Sequence, residues 1–446
     1  MKKRIYCMLL CVALVLSLAL MGCTVKQTQE PAQTEQPDQT TTVTEEKEPP
    51  TEAETTGEKK ISFTWLHHLQ EEGKKAWVQY CADTYMEAHP NVTITTEMQN
   101  TDNFMTVLKT KIATDDAPMI FDLEPTQLTE FQQAGHLAEL SDIAGLENYS
   151  EALLDEGRRE GGQYGVPLDA NSFNALYNKD LFDQLGLSVP TTLSEFDHVC
   201  KTLQENGITP IACGFAEQWT IRRYSNIYTD IACVKDNPNW FVEKMNRTST
   251  FSEDQAFKDS ISLYMSYKPY WGEDPYGTKQ ADALNQVAAG KAGIVINGTW
   301  TIDGLLAINP DLNIGAFAIP TSEDPSGAIM EMKPGNSFCV FNSDDPELLA
   351  VAKDFFTFMC SQDSASYYAL NAHSIPGSSI EVETIEPLND ILAYSGDQVY
   401  MMSGVTTFSG EYHSIYLELL QKHGMEETFD VDALCADLDN AFAGIQ

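Results

Sequence analysis

The sequence predicts an α/β protein built from two lobes, and three observations support this prediction. The part of the chain expected to fold has about 388 of the 446 residues, more than a single hydrophobic core usually serves. A hydrophobic content of 43% and an aromatic content of 10% indicate a globular protein. Strand-like and helix-like segments alternate along this region, which is typical of mostly parallel sheets with helical crossovers.

The first half of the folded region shows the alternation most clearly. Hydrophobic periodicity predicts a strand, a helix, a strand, a helix and a strand, in that order, at 61–66, 73–88, 92–98, 103–113 and 119–121. Ligands bind beyond the carboxyl ends of parallel strands. The segments 65–70 and 122–127 are therefore candidate site loops.

The alternation resumes in a second unit. Strands are predicted at 174–178, 208–213 and 294–296, and helices at 179–185, 196–206 and 348–359. Thr192 and Glu195 form a capping box before the 196–206 helix, which Gly207 ends. Asn297-Gly298 predicts a tight turn at a helix start, next to Trp300.

The charge balance excludes some classes of partner. The chain has 27 basic and 66 acidic residues, a formal net charge of −39. Such an excess of negative charge disfavours nucleic acid and anionic lipid surfaces, so no nucleic-acid partner is expected. Acidic residues this numerous mainly form solvated faces that keep a protein soluble.

The N-terminus has the layout expected of an exported protein. Three basic residues precede an apolar run of 17 residues at 5–21, the layout of a secretion signal. Residues 20–23, LMGC, resemble the bacterial lipobox, which implies a lipoprotein signal peptide at 1–22 and a lipid on Cys23. The alternative is an uncleaved anchor with an incidental cysteine. Cleavage would leave 24 basic and 66 acidic residues, a net charge of −42.

Residues 23–58 are expected to form a disordered linker after the lipidated cysteine. The segment is rich in Thr, Glu, Gln and Pro and has few apolar residues, so it cannot offset the entropy cost of ordering. As a flexible coil it would reach about 30 to 35 Å. The folded region is therefore expected to start at residue 59, outside the membrane and close to it.

The cysteines of the folded region show no paired spacing. They number seven, at Cys81, Cys200, Cys213, Cys233, Cys339, Cys360 and Cys435. A disulfide scaffold or a zinc site would have closely spaced pairs. Most of these cysteines are expected to be small core residues, a single disulfide bridge stays open, and no metal or other cofactor is expected.

Four blocks of sequence carry a resemblance to a known family. They are IATDDAPMIFDLEPTQLTEFQQAGHLAELSD, YGVPLDANSFNALYNKDLFDQLGLSVPTTLSEF, AAGKAGIVINGTW and NIGAFAIP. In their order and spacing they resemble the extracellular solute-binding proteins of ABC importers, in particular the sugar-binding kind related to maltose-binding protein. Met119 stands where that family usually has aspartate.

The resemblance implies a type II periplasmic-binding-protein-like fold, with two α/β lobes joined by crossing strands. Carried onto this chain, the crossings fall near 166–171, 317–320 and 360–364. The first lobe is then 59–168 plus 321–362, and the second is 169–320 plus 363–446.

The resemblance also implies the function. A monomer tethered through Cys23 to the outer face of the bacterial cytoplasmic membrane would capture a mono- or oligosaccharide between its lobes. It would deliver the sugar to permease subunits powered by cytoplasmic ATPases, without being an enzyme. Two alternatives stay open, a surface-anchored glycoside hydrolase and a binding protein for another polar solute. No G-x-S-x-G, H-E-x-x-H or Walker sequence favours an enzyme.

A sugar site needs aromatic rings for the apolar sugar faces and polar groups for the hydroxyls. Trp300 follows a strand and a turn, and the family has a stacking residue there. Trp219, in GFAEQW, matches a second aromatic platform approximately. The alternative for Trp300 is a core tryptophan packed on its helix.

Seven further residues are candidate polar contacts: His67, His68, Glu124, Asp169, Asn171, Asn336 and His373. The His67-His68 pair lacks a third ligand at useful spacing, so a sugar contact is preferred to zinc. Glu124 can accept two hydroxyl protons, with helix capping as the alternative. Asn171 aligns with a carboxylate that contacts sugar in some relatives, and an amide keeps the acceptor without the charge.

Overall fold

The computed structural model describes residues 59–403 and 406–445, without the side chains of Thr101, Asp102, Pro125 and Thr126. The expected signal peptide, the lipid-bearing Cys23 and the linker lie outside the described residues. Fourteen strands are described, numbered here along the chain as β1 (Ile61–His67), β2 (Val92–Met98), β3 (Ile120–Leu123), β4 (Arg158–Arg159), β5 (Gly162–Gln163), β6 (Val166–Pro167), β7 (Asp169–Asn178), β8 (Thr209–Ala212), β9 (Ala292–Gly298), β10 (Ile314–Phe317), β11 (Met330–Pro334), β12 (Ser337–Val340), β13 (Ile375–Pro376) and β14 (Val399–Met401).

The α-helices are numbered in the same way. They are α1 (Glu72–Ala88), α2 (Thr101–Ala113), α3 (Pro125–Gln133), α4 (Glu151–Gly157), α5 (Lys179–Leu185), α6 (Leu193–Glu205), α7 (Gln218–Thr229), α8 (Trp240–Met245), α9 (Gln255–Ser266), α10 (Gln280–Ala288), α11 (Thr301–Ile308), α12 (Pro346–Met359), α13 (Gln362–Asn371), α14 (Glu386–Leu392), α15 (Gly410–Met425) and α16 (Val431–Gly444). Helix α7 continues directly into a π-helical turn, Asp230–Val234.

The first lobe contains a five-stranded sheet in the order β2-β1-β3-β12-β6. Strand β1 runs parallel to both β2 and β3, as the alternation of strands and helices predicted, and β12 pairs antiparallel with β3 and β6. Helix α1 lies against this sheet through the buried Trp77 and Val78. The parallel arrangement brings the ends of β1 and β3 to one edge, where His68 and Glu124 follow them.

The second lobe contains a seven-stranded mixed sheet. Its main path is β14-β11-β7-β9-β8, and β10 and β13 also pair with β7. The ten-residue β7 is almost entirely buried, which explains its continuous apolar and small side chains. The two sheets belong to separate hydrophobic clusters, so the mixed α/β fold has two lobes.

The chain passes between the sheets at positions that differ from two sequence-based boundaries. The first passage lies between β6 and β7. The return was expected near 317–320, but β11 pairs with β7, so the chain stays in the second lobe through Pro334. The third passage was expected near 360–364, but α13 packs on α1 of the first lobe. There Trp77 donates a hydrogen bond to Ser364 at 3.0 Å, and the Tyr80 and Tyr367 rings stack at 4.0 Å.

The observed lobes therefore differ from the expected ones in two segments. Residues 321–334 belong with the second sheet, and 363–371 pack with the first. The physical reason is that extended pairing along β7 and aromatic packing on α1 decide the positions of these segments. Neither interaction is visible in a local pattern of residues.

The seven cysteines of the described region are all buried and free. Within the described residues no helix combines the length and the apolar character needed to cross a membrane. The same residues contain no group of three or more His, Cys, Asp or Glu side chains arranged to hold a metal ion.

Candidate functional site

The turn between β9 and α11 places Trp300 at the surface of the second lobe. Trp300 occupies the N-cap position of α11 and is partly exposed. Its ring covers the backbone of Gly298, where an added Cβ would lie 2.1 Å from the ring carbon Cζ3. A glycine at the end of β9 therefore allows the indole to lie flat against the strand instead of projecting into solvent.

Two aromatic side chains and an arginine surround Trp300 and form a surface with it. The Phe173 ring, on the neighbouring β7, lies edge-on at 5.8 Å between ring centroids. The Trp219 ring lies 6.5 Å away and is 38% exposed, which leaves its face open. The Arg223 guanidinium lies 4.6 Å from the Phe173 centroid and 5.5 Å from that of Trp300. Trp219 and Arg223 are four residues apart on α7, so one helix face presents both.

Pairing of β11 with β7 extends this surface with polar groups. The register places Lys333 beside Asn171 and Glu331 beside Phe173. Because residues paired across two strands project to the same side, all four share the face that bears Trp300. Lys333 and Asn171 are partly exposed, whereas Glu331 is buried.

Charged groups lie beneath the aromatic surface. Asp230 and Glu331 are both buried, and burial raises the pKa of both carboxyl groups. Burial lowers the pKa of Arg223 to about 9, and the charge of Arg222 adds to this effect. Arg222 donates a hydrogen bond to the Thr407 hydroxyl at 2.7 Å.

On the first lobe, three side chains meet at the ends of the strands. His68 follows β1, and its Nδ1 lies 2.9 Å from Oδ2 of the fully buried Asp122 in β3. Asn336 donates to the same oxygen at 2.9 Å. The carboxylate therefore fixes the orientation of both predicted residues and raises the pKa of His68 against the opposing effect of burial, which is the largest single influence.

Glu124 lies at the other predicted loop and is exposed. It is the N-cap of α3, and its backbone N–H donates to the Gln127 side chain at 3.0 Å. Burial lowers the pKa of Arg222, Arg223 and Lys333 in the second lobe. The negative charge of Glu124 partly opposes this effect, so it acts across the lobes. Glu124 thus combines a capping position with a place close enough to these three basic groups of the second lobe to affect their pKa values.

Six of the nine predicted residues lie on the elements that meet where the two lobes join: Trp300, Trp219, Asn171, His68, Glu124 and Asn336. The short connection from β11 to β12 joins the two sides, because Lys333 and Asn336 are three residues apart. The arrangement offers aromatic faces on one lobe and hydrogen-bonding groups on both.

The other three predicted residues have contacts of a different kind. His67 is buried in the first lobe with its ring centroid 6.2 Å from that of Trp65, and burial lowers its pKa to about 4. Asp169 is buried where the chain first crosses between lobes. It accepts a hydrogen bond from Tyr368 at 2.6 Å and lies 3.5 Å from the Lys74 ammonium nitrogen.

His373 lies where the chain crosses between the lobes for the third time. Its Nδ1 is 3.1 Å from Oδ1 of Asp303, a residue of α11. The other carboxylate oxygen accepts the backbone N–H of Gly73 in the first lobe at 3.3 Å. His67, Asp169 and His373 thus have core or hinge contacts, and a direct ligand contact remains only a prediction for them.

Sequence reasoning missed Phe173, Arg222, Arg223 and Lys333. The adjacent arginines were a usable signal, since they follow Trp219 on a helix in a chain with few basic residues. Lys333 and Phe173 had no such signal, because only the strand register brings them together. Trp271 is not part of this surface, because it is 2% exposed and packs against Phe215 and Tyr264 in the core.

Solved structures of similar fold include solute-binding proteins with sugar ligands. The structure titled "SBP RafE in complex with raffinose" has a TM-score of 0.71 and 21% identity, and the match covers 85% of this chain and 98% of that one. A sugar transporter from Bacillus licheniformis in complex with stachyose has a TM-score of 0.64 and 18% identity, with 85% and 98% covered. At these identities the likeness establishes the fold.

Relatives in sequence point the same way. A multiple sugar-binding protein of Streptococcus mutans is 24% identical over 326 residues, covering 70% of this chain and 76% of its own. The melibiose/raffinose/stachyose-binding protein MelE of Bacillus subtilis is 20% identical over 359 residues, covering 78% and 83%. The family model described as "Bacterial extracellular solute-binding protein" matches residues 69–365, more than half of the chain. The chain therefore belongs to the family of bacterial extracellular solute-binding proteins.

Proposed function

We propose that the protein captures a carbohydrate in the cleft between its lobes. The observation that carries the proposal is the partly exposed aromatic surface of Trp300 and Trp219, with Asn171 and Lys333 beside it and His68 across the cleft. Stacked rings bind the apolar faces of sugars, and planar polar groups bind their hydroxyls. The sugar ligands named for RafE and MelE support the same substrate class.

Binding and closure are coupled in this proposal. A ligand that contacts both lobes favours the closed state by its differential affinity for that state. Several hydrogen bonds of about 0.5 to 1.5 kcal/mol each and two stacked rings, less the costs of association, fit micromolar affinity near −8 kcal/mol.

The partners follow from the family. A monomer anchored through a lipid on Cys23 would stand at the extracellular face of the membrane and pass its ligand to the permease subunits of an ABC transporter. The apolar run at 5–21 and LMGC at 20–23 support the anchor. A labelling experiment with radioactive palmitate tests the anchor. We expect the wild-type chain to incorporate the label and Cys23→Ala to lose it.

The protein would bind its sugar without turning it over. A thermal-shift screen of mono- and oligosaccharides tests the binding, because a ligand of the native state alone raises the melting temperature. Calorimetry on the hits should give saturable binding, and chromatography of the recovered sugar should show it intact. Cleaved products would instead support a glycoside hydrolase, and binding confined to other polar solutes would contradict the substrate class.

A further inference from the structure

Three basic side chains lie together on the wall of the second lobe. Arg222 and Arg223 come from α7, and Lys333 comes from β11. The whole chain has 27 basic residues against 66 acidic ones. A cluster of three basic side chains is therefore unexpected in so acidic a protein. This basic wall lies next to the aromatic surface of Trp300 and Trp219, the surface proposed to hold the sugar.

The geometry holds these groups in place without neutralising them. Arg223 lies against the Phe173 and Trp300 rings, and its Nε is buried without a hydrogen-bond partner among the described residues. Lys333 is held by the register of β11 beside Asn171 and is partly exposed. Contacts with ring faces orient a guanidinium and leave its N–H edge free for another acceptor.

Nearby carboxyl groups compensate for little of this charge. Within the part of the chain that the structure describes, no carboxylate oxygen lies within 4.0 Å of the charged nitrogens of Arg222, Arg223 or Lys333. Asp230 and Glu331 are buried, and burial raises the pKa of both carboxyl groups, which disfavours their charged forms.

The remaining acidic groups act from further away. Glu124 on the opposite lobe and Glu156 raise the pKa of Lys333, but burial and the two arginines still lower it to about 8. Burial is the largest cause of this lowering, and the positive charges of Arg223 and Arg222 add to it. An anion bound between the lobes would offset the mutual repulsion of these basic groups.

We propose that the cleft selects a carbohydrate that bears an anionic group, bound by Arg223 and Lys333 beside the ring that stacks on Trp300. The planar guanidinium fork matches a carboxylate, as in a uronic acid, and it also matches a sulfate or phosphate ester. This inference rests on the proposed function and narrows its substrate class to acidic saccharides.

The experiment compares acidic saccharides with uncharged forms of the same molecules. Oligogalacturonates, oligomannuronates and glucuronate-bearing xylo-oligosaccharides are titrated calorimetrically against their methyl esters. Sulfated galacto-oligosaccharides are titrated against their desulfated forms, which distinguishes the two sources of negative charge. We expect at least one acidic saccharide to bind roughly tenfold or more tightly than its neutral counterpart, with a preference that falls as salt rises.

Two variants assign the preference to the basic wall. Arg223→Gln and Lys333→Gln each remove one charge, and each should reduce the acidic-to-neutral affinity ratio by about tenfold while the neutral form still binds. Lys201→Gln is the matched control, since Lys201 is an exposed residue of the same lobe that pairs with Asp197. It should leave the ratio unchanged. If Arg223→Gln disturbs folding because Arg223 packs on the Phe173 and Trp300 rings, the affinity ratio of Lys333→Gln still tests the proposal.

The outcomes separate this inference from the proposed function. Neutral saccharides that bind as tightly as acidic ones, or a ratio unaffected in both variants, would overturn the acidic preference and leave carbohydrate capture standing. Absence of binding by every acidic and neutral saccharide would overturn both.

Discussion

The Trp300 indole lies on the backbone of Gly298, two residues earlier, with no room for a side chain between them. A Cβ built at Gly298 would come within 2.1 to 2.5 Å of three carbons of the indole ring. The glycine therefore determines the orientation of the main aromatic group of the cleft. Its effect on binding is indirect, since it acts through the position of Trp300.

Gly298→Ala should therefore displace the indole and weaken sugar binding by roughly tenfold, together with a loss of about 1 to 3 kcal/mol in the free energy of unfolding from overpacking. Calorimetry and urea unfolding measure the two effects. Gly444→Ala is the control, because no heavy atom lies within 4 Å of a Cβ added there. An unchanged dissociation constant in Gly298→Ala would show that the ring position does not matter.

Trp300→Ala removes the stacking ring itself. We expect binding to weaken by roughly tenfold or more, from lost stacking and lost apolar burial. The melting temperature without ligand should change little, because the indole is partly exposed.

The matched control for this prediction is Trp271→Phe, since Trp271 is buried in the core of the same lobe. That variant should lower the melting temperature and leave the affinity unchanged. The opposite pattern, with affinity lost at Trp271 and retained at Trp300, would place the sugar elsewhere.

The pKa values of the adjacent His67 and His68 should depart in opposite directions from the ordinary histidine value of 6.5. Burial lowers the pKa of His67 to about 4, whereas the Asp122 carboxylate holds that of His68 above its ordinary value despite burial. Asp122→Asn should lower the pKa of His68 below 6.5, because burial then acts with little opposition. Imidazole NMR measures both values, with the exposed Asp116→Asn as a control.

These directions have consequences for stability. The raised pKa of His68 contributes stability that is present below pH 6.5 and is lost as pH rises through its folded-state pKa. His67 acts in the opposite sense, since its buried neutral ring costs stability as pH falls from 6.5 toward 4. His67→Gln should therefore flatten the loss of stability between pH 6.5 and 4 in urea unfolding, and an unaltered slope there would contradict the assignment.

The buried contact between Lys74 and Asp169 should be costly to break from one side. Lys74→Met would leave the Asp169 carboxylate with Tyr368 as its remaining described partner, and we expect a loss of about 3 to 5 kcal/mol in the free energy of unfolding. Lys109→Met is the matched control, because Lys109 and Glu130 form an exposed pair at 2.8 Å and should contribute at most about 1 kcal/mol. Urea unfolding of both variants at one pH makes the comparison, and equal losses would be evidence against a buried charge pair.

Local sequence patterns were sufficient for much of the fold. The parallel β1, β2 and β3 and helices α1, α2, α5, α6 and α12 follow from periodicity and from caps such as Thr192, whose hydroxyl accepts the Glu195 N–H. The lobe boundaries after residue 320 did not follow. They depend on pairing between β11 and β7, which are about 160 residues apart, and no local pattern encodes such pairing.

The residues of the candidate site also fall into those that local sequence patterns predict and those that depend on the three-dimensional fold. Trp300 and Glu124 could be predicted because they follow strands directly, at the edge where ligands bind in α/β proteins. Asp169 and His373 were also at sequence positions typical of a site, but buried or hinge partners hold them. Phe173 and Lys333 reach the cleft through strand register alone, so only the three-dimensional arrangement identifies them.

The N-terminus of α1 in the first lobe is capped by a residue of the second lobe. Glu71, the N-cap residue, makes no side-chain capping bond, whereas Oδ2 of Asp303 accepts the Gly73 N–H at 3.3 Å. Asp303→Ala should cost about 0.5 to 2 kcal/mol in the free energy of unfolding, as for other lost caps. Because this cap joins the lobes, the variant should also alter the scattering profile without ligand and the rate of sugar release.

Asp345→Ala provides the matched control for that variant. Asp345 caps α12 through the Glu347 and Leu348 N–H groups within the first lobe, at 3.0 and 3.3 Å. We expect a similar loss of stability from it and no change in scattering or release, since it stabilises one lobe only. If both variants release sugar at the same rate and scatter identically, the Asp303 cap contributes to stability without coupling the lobes.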